Sequence, residues 1–251
     1  MIIIKNKHAQ ESMKIAGKLL AEVFCELAGV VKAGISTLDL EKAIAQLLVV
    51  RKMVSQSLGY RGYKYVSCIS INDEVVHGLP NAHRVLQPGD LVKVDVCAAF
   101  NGYCADATRC FFVDESPSIE AQTLVAVAQA SLDAGIAAAR VGGRLGDISA
   151  AIQAMVERNG FSVVRNFAGH GIGARMHEDP EILNFGAAGT GPLLKPGMAL
   201  ALEPMINVGG HEVYVAADGW TAKTADGSLS AHIEDTVLIT DDGPYITTRM
   251  N

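Results

Sequence analysis

LVKVDVCAAF-NG-YCADATRCFFV, residues 91–113, decides the fold. Asn101-Gly102 between two β-type runs is a strong hairpin signal, because a tight two-residue turn needs positive φ at both central positions. Pro88-Gly89-Asp90 supplies the turn that opens the first strand. Pairing counted outward from Asn101-Gly102 sets Asp106 opposite Cys97, and Asp95 lies two residues from Cys97. Side chains alternate with period two, so all three point to one face. Asp95 and Asp106 are then diagonal neighbours, roughly 7–8 Å apart at Cα. Two bare carboxylates flanked by Val94 and Val96 repel each other if buried, and a metal ion between them removes the conflict. The alternative is that one or both face solvent.

Upstream, Met13, Ala16, Gly17, Leu20, Phe24, Leu27, Ala28 and Val31 recur at helical spacing until Gly34. A second helix is predicted from Leu38 to Met53, capped by Ser36 or Thr37, with Leu40, Ile44, Leu47 and Leu48 on its apolar face. Cys68 to Val76 turns to a β pattern. Downstream, Ser116-Pro117 can open a third helix running towards Arg140. Leu145 to Arg158 fits a fourth, stopped by Asn159-Gly160, and strand-like segments continue to Thr248.

The downstream part repeats the upstream part. At an offset of 108, Gly34, Asp39, Leu40, Ala43 and Ile44 fall on Gly142, Asp147, Ile148, Ala151 and Ile152. Leu86, Pro88 and Gly89 fall on Leu194, Pro196 and Gly197, and Asp95 falls on Glu203. A second echo, at offset 100, sets His77-Gly-Leu-Pro80 against His177-Glu-Asp-Pro180, the difference being absorbed by Gly186 to Gly191. The expected architecture is α+β, with a site between two duplicated halves of about 10–115 and 116–248. No low-complexity linker divides them, so 1–251 is read as one domain.

Three more residues join the aspartates as candidates. Glu203 stands in Met198-Ala-Leu-Ala-Leu-Glu-Pro, and an acid is rare in so apolar a strand unless paired or metal-bound. Glu234 stands in another strand pattern, Ala231-His-Ile-Glu-Asp-Thr-Val. His170 lies in Gly169-His-Gly-Ile-Gly, where glycines allow close backbone approach. One imidazole with four carboxylates is too acidic for a single zinc centre and suits two bridged divalent ions. The same glycine stretch lacks the Lys-Ser/Thr of a phosphate loop. Gly-x-Ser-x-Gly is absent, and Cys68 and Cys97 read as small buried packers. His8, His83, His211 and His232 read as surface or structural.

Composition narrows the function classes. Of 251 residues, 49% are hydrophobic and only 19% charged, which excludes general disorder. A net charge of −6 without a dense Lys/Arg block argues against nucleic-acid binding. No apolar run approaches the roughly 20 residues of a membrane span, and Ile2 to Ile4 lacks the flanks of a signal peptide. Five scattered Cys without a C-x-x-C read as reduced thiols. The default location is cytoplasmic.

With these residues in view, the sequence resembles a type I methionine aminopeptidase. The resemblance rests on Gly59-Tyr60-Arg-Gly-Tyr63, Cys68-Ile-Ser-Ile-Asn72, Val76-His77-Gly-Leu-Pro, Ala105-Asp106-Ala-Thr108, Gly169-His170-Gly-Ile-Gly, His177-Glu-Asp-Pro, Leu202-Glu203-Pro-Met, Gly219-Trp220-Thr and Ser228-Leu-Ser-Ala-His-Ile-Glu234. It runs from about Lys5 to Thr240 and implies the duplicated pita-bread fold. It implies that Asp95, Asp106, His170, Glu203 and Glu234 hold two divalent ions (Co, Mn, Fe or Zn), with Asp106 and Glu234 bridging. Glu203 doubles as general base, and His77 and His177 line the scissile peptide. Tyr60, Tyr63, Cys68, Trp220 and the nearby Met176 shape the methionine pocket. Asn72 and Ser230 match a monovalent-cation site. The implied partners are peptides and nascent chains beginning with Met, and the ribosome, for a monomer that binds neither nucleic acid nor membrane. The chain departs from the family pattern at Ser57, Lys64, Cys104, Ala105, Met176, Ile233 and Asp235, none of them a ligand position.

The chemistry expected is hydrolysis of the first peptide bond. Paired divalent ions supply a water acidic enough to ionise near neutral pH. Glu203 takes its proton and passes it to the leaving amine, and His177 donates to the developing oxyanion. Three rivals use the same fold. Xaa-Pro aminopeptidases and prolidases usually carry an additional N-terminal domain, and only 76 residues precede His77 here. A type II enzyme needs a helical insertion in the second half. A catalytically weak pita-bread binding module would be marked by lost ligands, and none is lost.

Overall fold

In the computed structural model of the chain, residues 1–114 and 117–250 are described. The Asn101-Gly102 turn forms with both residues at positive φ, 49° and 81°. It joins strands Leu91–Phe100 and Tyr103–Phe112 in unbroken antiparallel register, with Cys97 opposite Asp106 as the turn dictates. Strands Cys68–Ile71 and Val54–Ser55 pair with the other edge of Leu91–Phe100. A five-stranded antiparallel sheet in the second half runs Gly243–Ile246, Asp235–Thr240, Ala199–Leu202, Gly169–Gly171 and Glu178–Ile182. The two sheets meet where Thr108 and Glu234 exchange backbone hydrogen bonds of 3.3 and 3.1 Å.

Four helices are present among the described residues: α1 (Lys7–Leu27), α2 (Thr37–Val50), α3 (Ile119–Ala138) and α4 (Leu145–Glu157). Helix α1 starts six residues before Met13, because the Asn6 side chain caps it by accepting from the Ala9 N–H at 2.9 Å. Helix α2 stops at Val50 rather than Met53, since Lys52 turns left-handed at φ 55° and Met53 N–H returns to the Leu48 carbonyl. Ser118 caps α3 through the Ala121 N–H; Ser116, the other half of the predicted Ser116-Pro117 start, lies outside the described residues.

The 108-residue echo recurs as geometry. Gly34 N–H donates to the Leu86 carbonyl at 3.0 Å and Gly142 N–H to the Leu194 carbonyl at 3.1 Å. The bridge Ser36–Val85 has its counterpart in Arg144–Leu193. Asp39 and Asp147 each accept from the backbone N–H three residues earlier, at the starts of α2 and α4. Apolar side chains collect into two main clusters. One lies under α1 and α2 against the hairpin, around Leu20, Leu40, Ile44, Val92 and Val94. The other lies under α3 and α4 against the second sheet, around Leu132, Ile148, Ile152, Leu200 and Val237. Each helix pair shields one sheet and leaves the seam between the sheets for polar residues. No helix among the described residues is long and apolar enough to cross a membrane.

Helix α1 docks against the end of the chain through Gly17, where an added Cβ would stand 2.4 Å from the Thr247 carbonyl oxygen. Helix propensity alone favours Gly17→Ala by about 1 kcal/mol, but the neighbour here is backbone and cannot swing aside. Gly17→Ala is expected to destabilise the protein by about 1–3 kcal/mol, read from urea midpoints. A rise in the midpoint would show that α1 can shift off Thr247 at no cost.

Candidate active site

The seam gathers the acids from both sheets. Asp95 and Asp106 project from the hairpin, Asp95 between Cys68 on one neighbouring strand and Thr108 on the other. Glu203 follows the strand Ala199–Leu202, and Glu234 precedes Asp235–Thr240, which pairs with it. His170 occupies the middle of Gly169–Gly171. Its flanking glycines are required by space: a Cβ at Gly169 would lie 2.4 Å from the Ala201 carbonyl, and one at Gly171 2.0 Å from the Asp179 carbonyl.

Donor atoms of Asp106, His170 and Glu234 all lie within 4.8 Å of one another. His170 Nε2 is 3.7 Å from Asp106 Oδ2 and 3.6 Å from Glu203 Oε1. The other ring nitrogen of His170, Nδ1, is 2.9 Å from the Gly171 carbonyl, which can only accept. The proton therefore sits on Nδ1, and Nε2 turns its lone pair towards the acids.

Electrostatics at this point are severe. Burial pushes the Asp95, Glu203 and Glu234 carboxyls well above the usual range, and repulsion from Asp106 adds to each. Burial raises Asp106 to about 6 against the opposing hydrogen bonds of Cys97 and Ala107. His170 is pushed down to about 4 by burial, then by His177. Asp106 Oδ1 and Glu234 Oε1 are buried with no hydrogen-bond partner. Carboxylates held this close, with unpartnered oxygens and an imidazole lone pair aimed among them, fit divalent cations by charge and by donor type.

Bracing residues hold the acids in place. Thr108 Oγ1 donates to Glu234 Oε2 at 3.0 Å. The Thr236 hydroxyl accepts from Asp106 N–H and donates to the Asp106 carbonyl, both at 2.9 Å. Arg109 donates to the Glu234 carbonyl at 2.6 Å and to Asp235 Oδ1 at 2.7 Å. Arg249 pairs with the other Asp235 oxygen at 2.7 Å. Asp235 is thus a fully buried carboxyl group with two arginine partners.

Above the acids opens a cavity of about 440 Å³. Its lining includes all five acid and histidine candidates together with His77, His177, Tyr60, Tyr63, Cys68, Met176 and Trp220. Tyr63 and Trp220 meet edge to face at 4.9 Å, making an aromatic corner. His77 stands at φ 61° against Phe167, and burial followed by His177 lowers it to about 4. His177 Nδ1 is 3.1 Å from the Tyr60 hydroxyl, and its ring is 4.4 Å from that of His170. Burial and then Arg61 lower His177 as well, so the cavity histidines are neutral at pH 7.

Asn72 and Ser230 meet each other but do not line the cavity. Ser230 N–H donates to the Asn72 carbonyl at 3.1 Å. The reading of His232 as surface or structural needs correction. It is 2% exposed, lines the cavity, and holds Nε2 3.7 Å from Glu203 Oε2 without a hydrogen-bond partner. Period-two alternation carries the signal, because His232 lies two residues before Glu234. Phe167, Arg61 and Met205 also line the cavity, and nothing in their sequence setting singles them out.

Comparison with known proteins agrees with this geometry. The profile of metallopeptidase family M24 matches residues 11–241. The methionine aminopeptidase of Clostridium acetobutylicum is 46% identical over 248 residues, covering 99% of both chains. The crystal structure of the methionine aminopeptidase from Thermotoga maritima superposes with a TM-score of 0.97 at 43% identity, covering 100% of both chains. Prolidase from Pyrococcus furiosus shares the fold alone, with a TM-score of 0.80 at 22% identity and 66% of its own length covered. Four acids and a histidine on a duplicated scaffold, in a chain alike from end to end to such enzymes, identify it as a member of metallopeptidase family M24, in its methionine aminopeptidase branch.

Proposed function

We propose that the chain is a metal-dependent methionyl aminopeptidase that works with two divalent ions and removes N-terminal methionine before a small second residue. The observation that carries this reading is the convergence of four carboxylates and the His170 lone pair at the cavity that holds the Tyr63–Trp220 corner. Asp95, Asp106, His170, Glu203 and Glu234 would hold the ions, drawn from Co, Mn, Fe and Zn. When bound, the ions supply Lewis acidity that polarises the peptide carbonyl and acidifies a water.

The remaining work falls to side chains. Glu203 serves as the base that accepts the water proton and returns it to the leaving amine, from its place at the cavity beside His170 and His232. Neutral His177, held by Tyr60, donates to the carbonyl oxygen as charge develops there. His77 lines the scissile bond from the opposite half. The methionine side chain enters between Tyr60, Tyr63, Cys68, Met176 and Trp220, where apolar walls and sulfur–aromatic contact favour a thioether. Among the described residues, Arg61, which stacks on Tyr60, is the only arginine or lysine lining the cavity. Substrates are nascent chains and peptides in the cytoplasm, met at the ribosome by a monomer.

Metal content tests the ligand set. Chelated protein titrated with Mn or Co is expected to take up two equivalents, with a rise in melting temperature. Without metal, Glu234→Gln is expected to melt higher than wild type, because an amide carries no charge at a point where burial and Asp106 oppose one; with metal it is expected to lose the rise on metal binding. Protein that takes up no metal would overturn the assignment.

Glu203→Ala is expected to keep its fold by circular dichroism and to lose at least about 10²-fold in kcat, the lower range for loss of general-base catalysis. Activity within about threefold of wild type would remove Glu203 from the proton-transfer role.

A tripeptide panel tests specificity. Met before Gly, Ala or Ser is expected to be cleaved fastest, Leu and norleucine at the first position more slowly, and Lys or Glu hardly at all, since a charged side chain held between Tyr63, Cys68 and Trp220 would lose its hydration against apolar walls. Faster cleavage of Xaa-Pro peptides than of Met-Ala peptides would assign the chain to the prolidase branch, and no cleavage by metal-loaded protein would leave a binding module.

A further inference from the structure

The family resemblance leads one to expect a monovalent cation at Asn72 and Ser230, and the donors present there do not fit one. Asn72 forms the tight turn between strands Cys68–Ile71 and Glu74–Val76, with φ 54°. Three hydrogen bonds clamp it: its N–H to the Leu91 carbonyl at 2.9 Å, its Oδ1 from Leu91 N–H at 2.9 Å, and its Nδ2 to Asp90 Oδ1 at 2.8 Å. The direction of its carbonyl is therefore fixed. That carbonyl accepts from Ser230 N–H at 3.1 Å and from the Lys93 ammonium at 2.8 Å, which occupies both lone pairs. Lys93 is 1% exposed and stands on the hairpin face that carries Asp95. The nearby acids are already paired, Glu74 with Arg84 at 3.0 Å and Asp73 with Lys223 at 2.8 Å. The remaining nearby acid among the described residues, Asp90, has its two oxygens engaged by Asn72 Nδ2 and Gln87 N–H, each at 2.8 Å, so a second cation beside the ammonium would meet repulsion with no free carboxylate oxygen to offset it.

We propose that Lys93 is a tethered cation that takes the place of the monovalent ion and makes the protein indifferent to Na⁺ and K⁺. The ammonium ties three segments at one oxygen. The Asn72 turn leads through Glu74–Val76 to His77, the Ser230 strand leads to His232 and Glu234, and Lys93 itself is two residues from Asp95. A cation at this point fixes the spacing of residues from both halves, and one carried on a side chain needs no ion from solution. The inference concerns ion dependence of the folded state and does not rest on which peptide is cleaved.

Thermal melts of the metal-loaded protein at pH 7 and constant ionic strength, in KCl, NaCl or N-methylglucamine chloride, test it. Wild type is expected to melt at the same temperature in all three. A saturable rise in KCl or NaCl over N-methylglucamine would overturn the proposal. Lys93→Ser empties the space and frees one lone pair of the Asn72 carbonyl, the other still accepting from Ser230 N–H. This variant is expected to gain about 5 °C in KCl or NaCl over N-methylglucamine. A folded Lys93→Ser protein with equal melting temperatures in the three salts would also overturn it, and if that variant does not fold, the wild-type melts decide alone.

Discussion

Four carboxylates that repel one another must be held at one point, and much of the architecture answers that constraint. Left alone, these groups would move apart or stay protonated, and burial already drives them in the second direction. The braces prevent the first. Thr108, Thr236 and Arg109 each reach across from one sheet to the other, fixing backbone and carboxylate together. Such rigidity costs stability in the metal-free protein and gives in return a site whose geometry is set before an ion arrives. The fully buried Asp235, with Arg109 and Arg249 around it, shows the same economy one residue further on. There an anion is stabilised by fixed cations of the chain rather than by a metal.

Duplication explains how an ordinary α+β scaffold can present so many acids. Each half supplies a helix pair, a sheet and a core of its own. Asp95 and Glu203 stand at equivalent positions of the 108-residue offset, so the same device, an acid in or just after an apolar strand, occurs in both halves and meets at one cavity. The halves then diverge in what surrounds the acid. The first contributes the hairpin with Asp106, and the second contributes His170 and Glu234.

Much of this was readable from local rules. Asn101-Gly102 fixed the register of the hairpin, and period two then placed Asp95, Cys97 and Asp106 on one face without knowledge of the rest. The 108-residue offset linked Glu203 to Asp95. What escaped depended on long-range packing. His232 looks like any histidine in an apolar strand until the sheet brings it beside Glu203. Lys93 alternates with valines as a surface lysine would, and only the fold of the Asn72 turn, about 20 residues upstream, supplies the carbonyl that holds it. Helix ends shifted for local reasons that composition conceals, such as the Asn6 cap and the left-handed Lys52.

The seam has a consequence for how the molecule comes into being. Its donors are spread over 140 residues, from Asp95 to Glu234, and strands from both halves must be paired before they converge. Neither half can assemble the centre while the other is unformed, although each has a hydrophobic core on which to begin. Convergence of the donors therefore comes late in folding, after the loop-closure entropy of the intervening chain has been overcome. An ion that needed the whole donor set would recognise the finished molecule and pass over its precursors, so that metal capture would draw the completed fold out of the population of partly built chains.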